Sequence, residues 1–358
     1  MKNPTLHTGR LGLLMIRADA NVGIGTGHVM RCLALAQEWQ RQGGEVLFVQ
    51  ADSTKVLQQR LRREKMRQQN IQGPAGGSAD AQQTVALART HHAVWVVADG
   101  YRFGVKYQRL LKTAGLRLLL VDDYGHAKSY SADLVLNQNL SASKSLYRNR
   151  SPHTRLLLGS AYVMLRREFL TWCNWRREIP VTAGKVLVSL GGADSKNIST
   201  RLIAALPRSK LVVVAGAANP HRRALLAAAR EHAPRVRLVF NAANMPELMA
   251  AADIAITAGG SSTWETAFMG LPSLVFITAP NQAGIATALH RRRICQLLSA
   301  ATYGFAPRVL LALTGVQKDR ALRQVMSQRG RQLIDGQGAQ RIVQLLSTSE
   351  GLTLSPQN

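Results

Sequence analysis

The chain has 358 residues, 46% of them hydrophobic, enough to bury more than one core, and two domains are the simplest division. It contains no run of about eighteen apolar residues that would make a transmembrane helix, and Cys32, Cys173 and Cys295 are too scattered for a disulfide framework or a cysteine zinc site. Forty-six basic against 20 acidic residues give a net charge of +26, a field that favours anionic partners and makes nucleic acid a candidate.

The excess is spread evenly: residues 1–160 hold 22 basic and 10 acidic side chains, which leaves 24 and 10 for the rest. Clusters such as Arg60-Leu61-Arg62-Arg63 and Arg291-Arg292-Arg293 sit in helix-like surroundings and read as solvated faces, so no specific nucleic-acid partner is expected. The first ten residues lack the apolar core and cleavage site of a secretory signal, and a cytoplasmic protein, taken as a monomer, is expected. No H-E-x-x-H or similar spacing sets histidines on one helix face, and neither a metal nor a cofactor is predicted.

In chain order, residues 11–17 (LGLLMIR) read as a strand that delivers a loop with Gly23, Gly25 and Gly27 to a helix over 28–42. Glycines at alternate positions let the backbone turn tightly and approach a ligand, and a helix start presents N–H groups suited to a phosphate or oxyanion. His28 stands at the mouth of this turn, with Arg31 one turn later on the same face. The pair suits acid–base chemistry, although a histidine there serves equally well as a cap or a solvated residue. The spacing G-x-G-x-G-H departs from the G-x-G-x-x-G of dinucleotide folds, which leaves a hydride-transfer reading only Asp52 as a ribose ligand.

Strands over 45–50, 94–98, 117–121 and 134–136 alternate with helices over 53–69, 78–90 and 104–114. Continuous apolar runs between helices mean a parallel sheet buried on both faces, and the βαβα order makes the domain doubly wound. Ligands in such sheets sit beyond the carboxyl ends of the strands, where Asp99-Gly100-Tyr101, Asp122-Asp123-Tyr124 and Asn137-Gln138-Asn139 fall. An aspartate at that place can also simply cap the next helix. Residues 155–160 are strand-like and 165–175 helical, and 176–184 (RREIPVTAG) have the composition of a linker, so the domains are expected to divide as 1–178 and 179–358.

The second half restarts the pattern with a strand over 185–190, the Gly191-Gly192-Ala193-Asp194 loop, a helix from about 198, and strands over 211–215, 236–240, 254–258 and 273–278. The expected fold class is α/β, two doubly wound Rossmann-like domains with a cleft between them, a common place for small ligands. Residues 254–258 deliver Gly259, Gly260, Ser261 and Ser262 to a helix start suited to phosphate. Glu265 in its first turn offers a carboxylate that fits a pair of sugar hydroxyls or, equally, the helix dipole. Residues beyond about 306 carry no usable motif.

Taken together, Arg17-x-Asp19, Gly25-x-Gly27-His28-x-x-Arg31, Asp99-x-Tyr101, Asp122-Asp123, Gly191-Gly192-x-Asp194 and the 260–265 helix start resemble the UDP-2,4-diacetamido-2,4,6-trideoxy-β-L-altropyranose hydrolases of pseudaminic acid biosynthesis, over about residues 11–300. The 259–265 segment is also similar to the nucleotide-binding segment of B-type glycosyltransferases, including the peptidoglycan enzyme that adds N-acetylglucosamine to lipid I. The resemblance implies the B-type glycosyltransferase fold, with UDP on the C-terminal domain, the glycine-serine turn on the diphosphate, Glu265 on the ribose, and Asn281 and Gln282 facing the donor site. It implies a hydrolase that cleaves the UDP-linked diacetamido-trideoxy sugar at the anomeric carbon with inversion and without metal, His28 acting as base. Substrate contacts are implied for Arg17, Asp19, Gly25, Gly27, Arg31, Asp99, Tyr101, Gly191, Gly192, Gly260, Ser261 and Ser262. Members of that family often carry a histidine between the aspartate and tyrosine at 99–101, where this chain has Gly100. A B-type glycosyltransferase using a UDP-amino sugar donor is the competing reading, and a basic nucleic-acid-binding protein a further one.

Overall fold

The computed structural model describes residues 11–348 apart from 22, 217, 218, 301 and 302. The first ten residues, on which the reading of no secretory signal rests, lie outside the described residues.

The N-terminal sheet contains β1 (Leu13–Ala18), β2 (Glu45–Gln50), β3 (Arg67–Asn70), β4 (Ala93–Asp99), β5 (Leu118–Val121), β6 (Leu134–Asn137) and β7 (Arg155–Leu158). Its spatial order is β3-β2-β1-β4-β5-β6-β7, with every neighbouring pair parallel. The connecting helices are α1 (Gly27–Arg41), α2 (Lys55–Arg63), α3 (Ser78–Thr90) and α4 (Val105–Thr113), and the short α5 (Arg167–Leu170) follows β7. Strand β1 is buried along its whole length, which is why it reads as an apolar run interrupted only by Arg17 rather than an alternating one. Helix α1 packs on it through Val29, Cys32, Leu33, Leu35, Ala36 and Trp39, and full burial of a Val or Leu side chain contributes about 1.5–3 kcal/mol. Trp39 also donates its indole N–H to Gly12 O at 3.1 Å, and a Cβ at Gly44 would lie 2.1 Å from its Nε1, so only glycine fits there.

The second sheet contains β8 (Lys185–Ser189), β9 (Lys210–Ala215), β10 (Val236–Phe240), β11 (Ile254–Ala258), β12 (Ser273–Phe276) and β13 (Cys295–Leu298), ordered β10-β9-β8-β11-β12-β13 and again parallel throughout. Its helices are α6 (Ile198–Ala205), α7 (Arg222–Glu231), α8 (Met245–Ala251), α9 (Ser262–Phe268), α10 (Ala283–Arg291), α11 (Phe305–Lys318) and α12 (Arg320–Leu333), and α13 (Gly338–Ser347) ends the described chain.

Several elements differ from the sequence expectation. The helix expected over 53–69 stops at Arg63, Lys65 takes a left-handed φ of 57°, and Arg67–Asn70 forms the polar edge strand β3. Strand β13 was not anticipated, and the helix expected over 165–175 shrinks to α5. The division at 178/179 also differs from the packing. Val163, Leu165 and Phe169 already pack with Trp264 and Phe268 of the second domain, whereas Ala339, Ile342, Val343 and Leu346 of α13 join the core beneath β1 and β4. Trp95 secures that return by donating its indole N–H to Leu346 O at 3.0 Å.

The winding of each sheet reverses at one place, between β1 and β4 in the first and between β8 and β11 in the second. A crevice opens beyond the carboxyl ends of the strands at such a switch point. The four loops that leave these strands carry Gly25–His28, Asp99–Tyr101, Gly191–Asp194 and Gly259–Ser262.

Candidate active site in the interdomain cleft

The loop after β1 is folded by Asn21, whose Oδ1 accepts from the backbone N–H groups of Gly23 and Ile24 at 2.9 Å each, while its Nδ2 donates to Asp52 Oδ2 at 2.7 Å. Asp52 thus stabilises the loop rather than standing free for a ribose. Gly25 takes a φ of 72°, and the chain enters α1 with His28 in the first turn. His28 Nδ1 lies 2.6 Å from Asp99 Oδ1 at the end of β4. Arg31, one turn further along α1, grips the same carboxylate twice, Nε to Oδ2 at 2.6 Å and Nη2 to Oδ1 at 2.7 Å.

From Arg31 the network continues. Its Nη1 donates to Asp123 Oδ1 at 2.7 Å, Asn139 Nδ2 donates to the same oxygen at 3.0 Å, and the Tyr101 hydroxyl donates to Asp123 Oδ2 at 2.7 Å. The Tyr101 oxygen in turn accepts from Asn281 Nδ2 at 2.7 Å, a hydrogen bond from the second domain to the first.

Burial alone would raise the Asp99 pKa, but Arg31 and then His28 outweigh it and hold the carboxyl well below the usual carboxylate range. An ionised Asp99 only accepts, so the hydrogen lies on His28 Nδ1, and in the neutral ring Nε2 is the nitrogen that can accept a proton. Asp123 is likewise held below its ordinary value, since Arg31 and the Tyr101 hydroxyl overcome the cost of its burial. Burial and the Asp123 charge push Tyr101 upward, which keeps it a phenol that donates.

Across a cleft of about 630 Å³, the facing wall is built from the loops after β8 and β11. Gly191, Gly192, Gly260, Ser261 and Ser262 line it together with Glu265, Asn281 and Gln282, opposite Gly25, Gly27, His28, Arg31 and Tyr101. The two glycine loops approach closely: a Cβ at Gly192 would lie 3.3 Å from Thr26 Oγ1. Gln282 Oε1 accepts from the backbone N–H and the hydroxyl of Thr278 at 2.9 and 3.0 Å, fixing the chain that carries Asn281. Glu265 Oε1 accepts from Arg166 Nη2 at 2.9 Å, and burial keeps this carboxyl above its ordinary pKa even beside the arginine.

Most of the residues singled out in the sequence therefore meet at one cleft, with three corrections. Arg17 and Asp19, expected to contact substrate, do not line it. The Arg17 guanidinium is fully buried, donating to Asp80 at 3.0 and 2.8 Å and to Asp19 at 2.6 Å, and lies over the Phe103 ring. Asp19 Oδ1 also accepts from the backbone N–H groups of Ala51 and Asp52 at 2.8 and 3.1 Å, so the pair ties β1 to its neighbours. Asp99 sits behind His28 and Arg31 rather than on the cleft wall. At Gly100 a Cβ would lie 3.0 Å from Phe103 Cε2, so the ring occupies the space that a histidine side chain would enter.

Asp123, Asn139 and Arg166 belong to the cleft and were not among the expected site residues, nor were the cations Arg60, Arg63 and Lys196 that also line it. Asp123 and Asn139 had a signal, their place at strand ends. Arg166 had none, because a single arginine in a transitional stretch forms no motif. Among the described residues no group of three His, Cys, Asp or Glu side chains gathers to hold a metal ion.

Two parallel-sheet domains facing across a cleft give the chain the fold of the B-type glycosyltransferases. Solved structures with this arrangement include MurG of Acinetobacter baumannii (17% identity, TM-score 0.63, covering 93% of this chain and 98% of that one) and a UDP-glucosyltransferase of Polygonum tinctorium (11%, 0.64, 95% and 99%). In sequence, the chain is similar to the UDP-2,4-diacetamido-2,4,6-trideoxy-β-L-altropyranose hydrolase of Campylobacter jejuni, 24% identical over 284 residues that cover 78% of this chain and 96% of the hydrolase. It is also similar to the spore coat polysaccharide biosynthesis protein SpsG of Bacillus subtilis, 27% identical over 200 residues, 54% of this chain and 58% of that protein. No protein-family profile matches the chain.

Proposed function

We propose that the protein is an enzyme of nucleotide-sugar metabolism that hydrolyses UDP-2,4-diacetamido-2,4,6-trideoxy-β-L-altropyranose to UDP and 2,4-diacetamido-2,4,6-trideoxy-L-altrose. The observation that carries this reading is the His28–Asp99 pair on one wall of the cleft, facing the glycine-serine turn and Glu265 on the other. The similarity to the Campylobacter jejuni hydrolase, which spans nearly all of that protein, supports the choice of substrate.

In this reading the C-terminal domain binds UDP. Glu265 accepts from the ribose hydroxyls, and the turns at Gly191–Gly192 and Gly260–Ser262 meet the diphosphate, with Lys196 adding positive charge at the same wall. On the other wall His28 Nε2 takes a proton from water as the water oxygen bonds to the anomeric carbon. The bond from that carbon to the diphosphate oxygen breaks, its electron pair leaves with UDP, and attack opposite the leaving group inverts the centre. Asp99 holds the ring through Nδ1–H and stabilises the imidazolium as it forms, while Arg31 keeps Asp99 ionised. The Asn281–Tyr101 hydrogen bond joins the two walls and keeps nucleotide and base in register.

The fold favours one second reading, a glycosyltransferase that uses the same donor site and passes the sugar to an acceptor other than water. Incubation with a panel of UDP- and CMP-linked amino sugars, with no acceptor present, separates the two. Release of UDP from the diacetamido-trideoxy sugar under those conditions is expected of the hydrolase; release only on addition of an acceptor would favour the transferase.

A further inference from the structure

A second cavity, of about 790 Å³, lies between the linker at 173–179 and helix α12 and shares no lining residue with the cleft. Four arginines line it, Arg176, Arg177, Arg320 and Arg331. Among the described residues none of the four forms an ion pair with a carboxylate, and the one acid on the cavity wall, Asp335, is already paired with Arg341.

The partners these arginines do have are neutral carbonyls. Arg177 donates to Met269 O, Ala252 O and Met249 O at 3.1, 2.6 and 2.6 Å, and so pegs the C-terminal ends of α9 and α8. Arg331 donates to Cys173 O at 2.8 Å and Phe268 O at 3.3 Å, Arg176 to Cys173 O at 3.3 Å, and Arg320 to Ile179 O at 3.1 Å. A guanidinium carries five N–H donors, so Arg176, Arg320 and Arg331 keep donors to spare. Burial depresses the Arg331 pKa, and the neighbouring Arg176 charge depresses it further.

We propose that this cavity binds a phosphate-bearing anion, with Arg176, Arg320 and Arg331 as its ion-pair partners. One carboxylate would neutralise only one of these three charges, whereas an anion with two or more charges and several oxygens can pair with guanidiniums from both the linker and α12. The side-chain amides of Gln324 and Gln328, one turn apart on α12, supply further donors on the same wall. The site lies where the chain crosses between domains, beside the linker and at the passage from α12 to α13, so a bound anion ties the two crossings together.

The test is calorimetric titration of the full chain with inorganic pyrophosphate in the presence of excess UDP, so that cleft binding does not contribute. Arg176→Gln with Arg320→Gln, both on exposed residues, is compared with Arg291→Gln with Arg292→Gln, an equal charge change on a different exposed patch. The cavity variant is expected to weaken pyrophosphate by roughly 10- to 100-fold and the control by less than about 2-fold, since two charge-assisted hydrogen-bonding partners are lost only in the first. A parallel arm measures retention on phosphatidylcholine vesicles containing phosphatidylglycerol. Retention lost in the cavity variant, without pyrophosphate binding, assigns the site to a lipid headgroup; pyrophosphate binding without retention assigns it to a soluble phosphate ester. Binding of neither probe by the wild type, or equal losses in both variants, overturns the proposal.

Discussion

His28 Nδ1 and Asp99 Oδ1 stand 2.6 Å apart, and Arg31 occupies the other oxygen of the same carboxylate at 2.6 Å. Asp99 is thereby fixed from two sides and can only accept, which sets both the orientation and the tautomer of the imidazole. Replacing Asp99 by Asn offers the ring an amide and frees it to turn or change tautomer. Asp99→Asn is expected to lower kcat by roughly 100- to 10,000-fold, with UDP affinity within about threefold of wild type because the proposed nucleotide contacts lie on the other domain. Steady-state UDP release paired with UDP titration measures both quantities; a variant that binds UDP poorly but turns over normally would place Asp99 in binding.

Glu265, the proposed ribose contact, accepts from Arg166 at 2.9 Å. Glu265→Ala removes binding shared by ground and transition states, so KM should rise by about tenfold or more while kcat changes little. Initial-rate measurements over a range of nucleotide sugar decide it, and a fall in kcat at constant KM speaks against the ribose role.

Much of this arrangement is legible in the sequence because it is local. The central strands are buried on both faces and so are continuous apolar runs, and the glycine loops and His28 lie within a few residues of the strands that present them. Strand β3 escapes the same reading because its residues, Arg67 to Asn70, are polar and lie at the sheet edge. The return of α13 to the first domain depends on Trp95 meeting Leu346, 251 positions later, which no local pattern encodes. The site divides in the same way. Asp123 joins Arg31 across 92 positions and Arg166 joins Glu265 across 99, contacts that exist only once the domains have folded. Arg17 and Asp19 stand at a strand end, as ligand-binding residues do, and only the burial of Arg17 between Asp19 and Asp80 separates the structural role from the functional one.

Arg17 provides a test of that distinction. Arg17→Met strips a buried charge from Asp80, itself fully buried, and is expected to cost about 3–5 kcal/mol of unfolding free energy, the usual penalty for removing one partner of a buried pair. Denaturant titration should show a large fall in midpoint, with KM of the folded fraction unchanged. Wild-type stability with a raised KM would return Arg17 to the substrate.

Asp122 links the fold to pH. Burial opposes its charge, but His126 at 3.0 Å, the Tyr130 hydroxyl at 2.6 Å and the Gly125 N–H at 2.8 Å prevail and lower its pKa from 3.8 to about 2. A depressed folded-state value stabilises the fold above the ordinary carboxylate pKa and loses that contribution as pH falls toward 2. Asp122→Asn should therefore cost about 2 kcal/mol at neutral pH, and the gap from wild type should narrow from about pH 4 downward. Unfolding midpoints of the two proteins at pH 7 and pH 3 test this; a gap that does not narrow with acidity would remove the ionised carboxylate from the account.

His28 is the proposed base that activates water, and the rate of UDP release by His28→Asn from the UDP-linked diacetamido-trideoxy sugar, with no acceptor present, tests that role. Asparagine keeps the helix start polar but has no basic nitrogen, so kcat is expected to fall by roughly 100- to 10,000-fold while UDP affinity stays within about threefold of wild type. Turnover by His28→Asn within about threefold of wild type would contradict that role, leaving the loop after β1 a binding cradle and the proton acceptor to be sought elsewhere in the cleft.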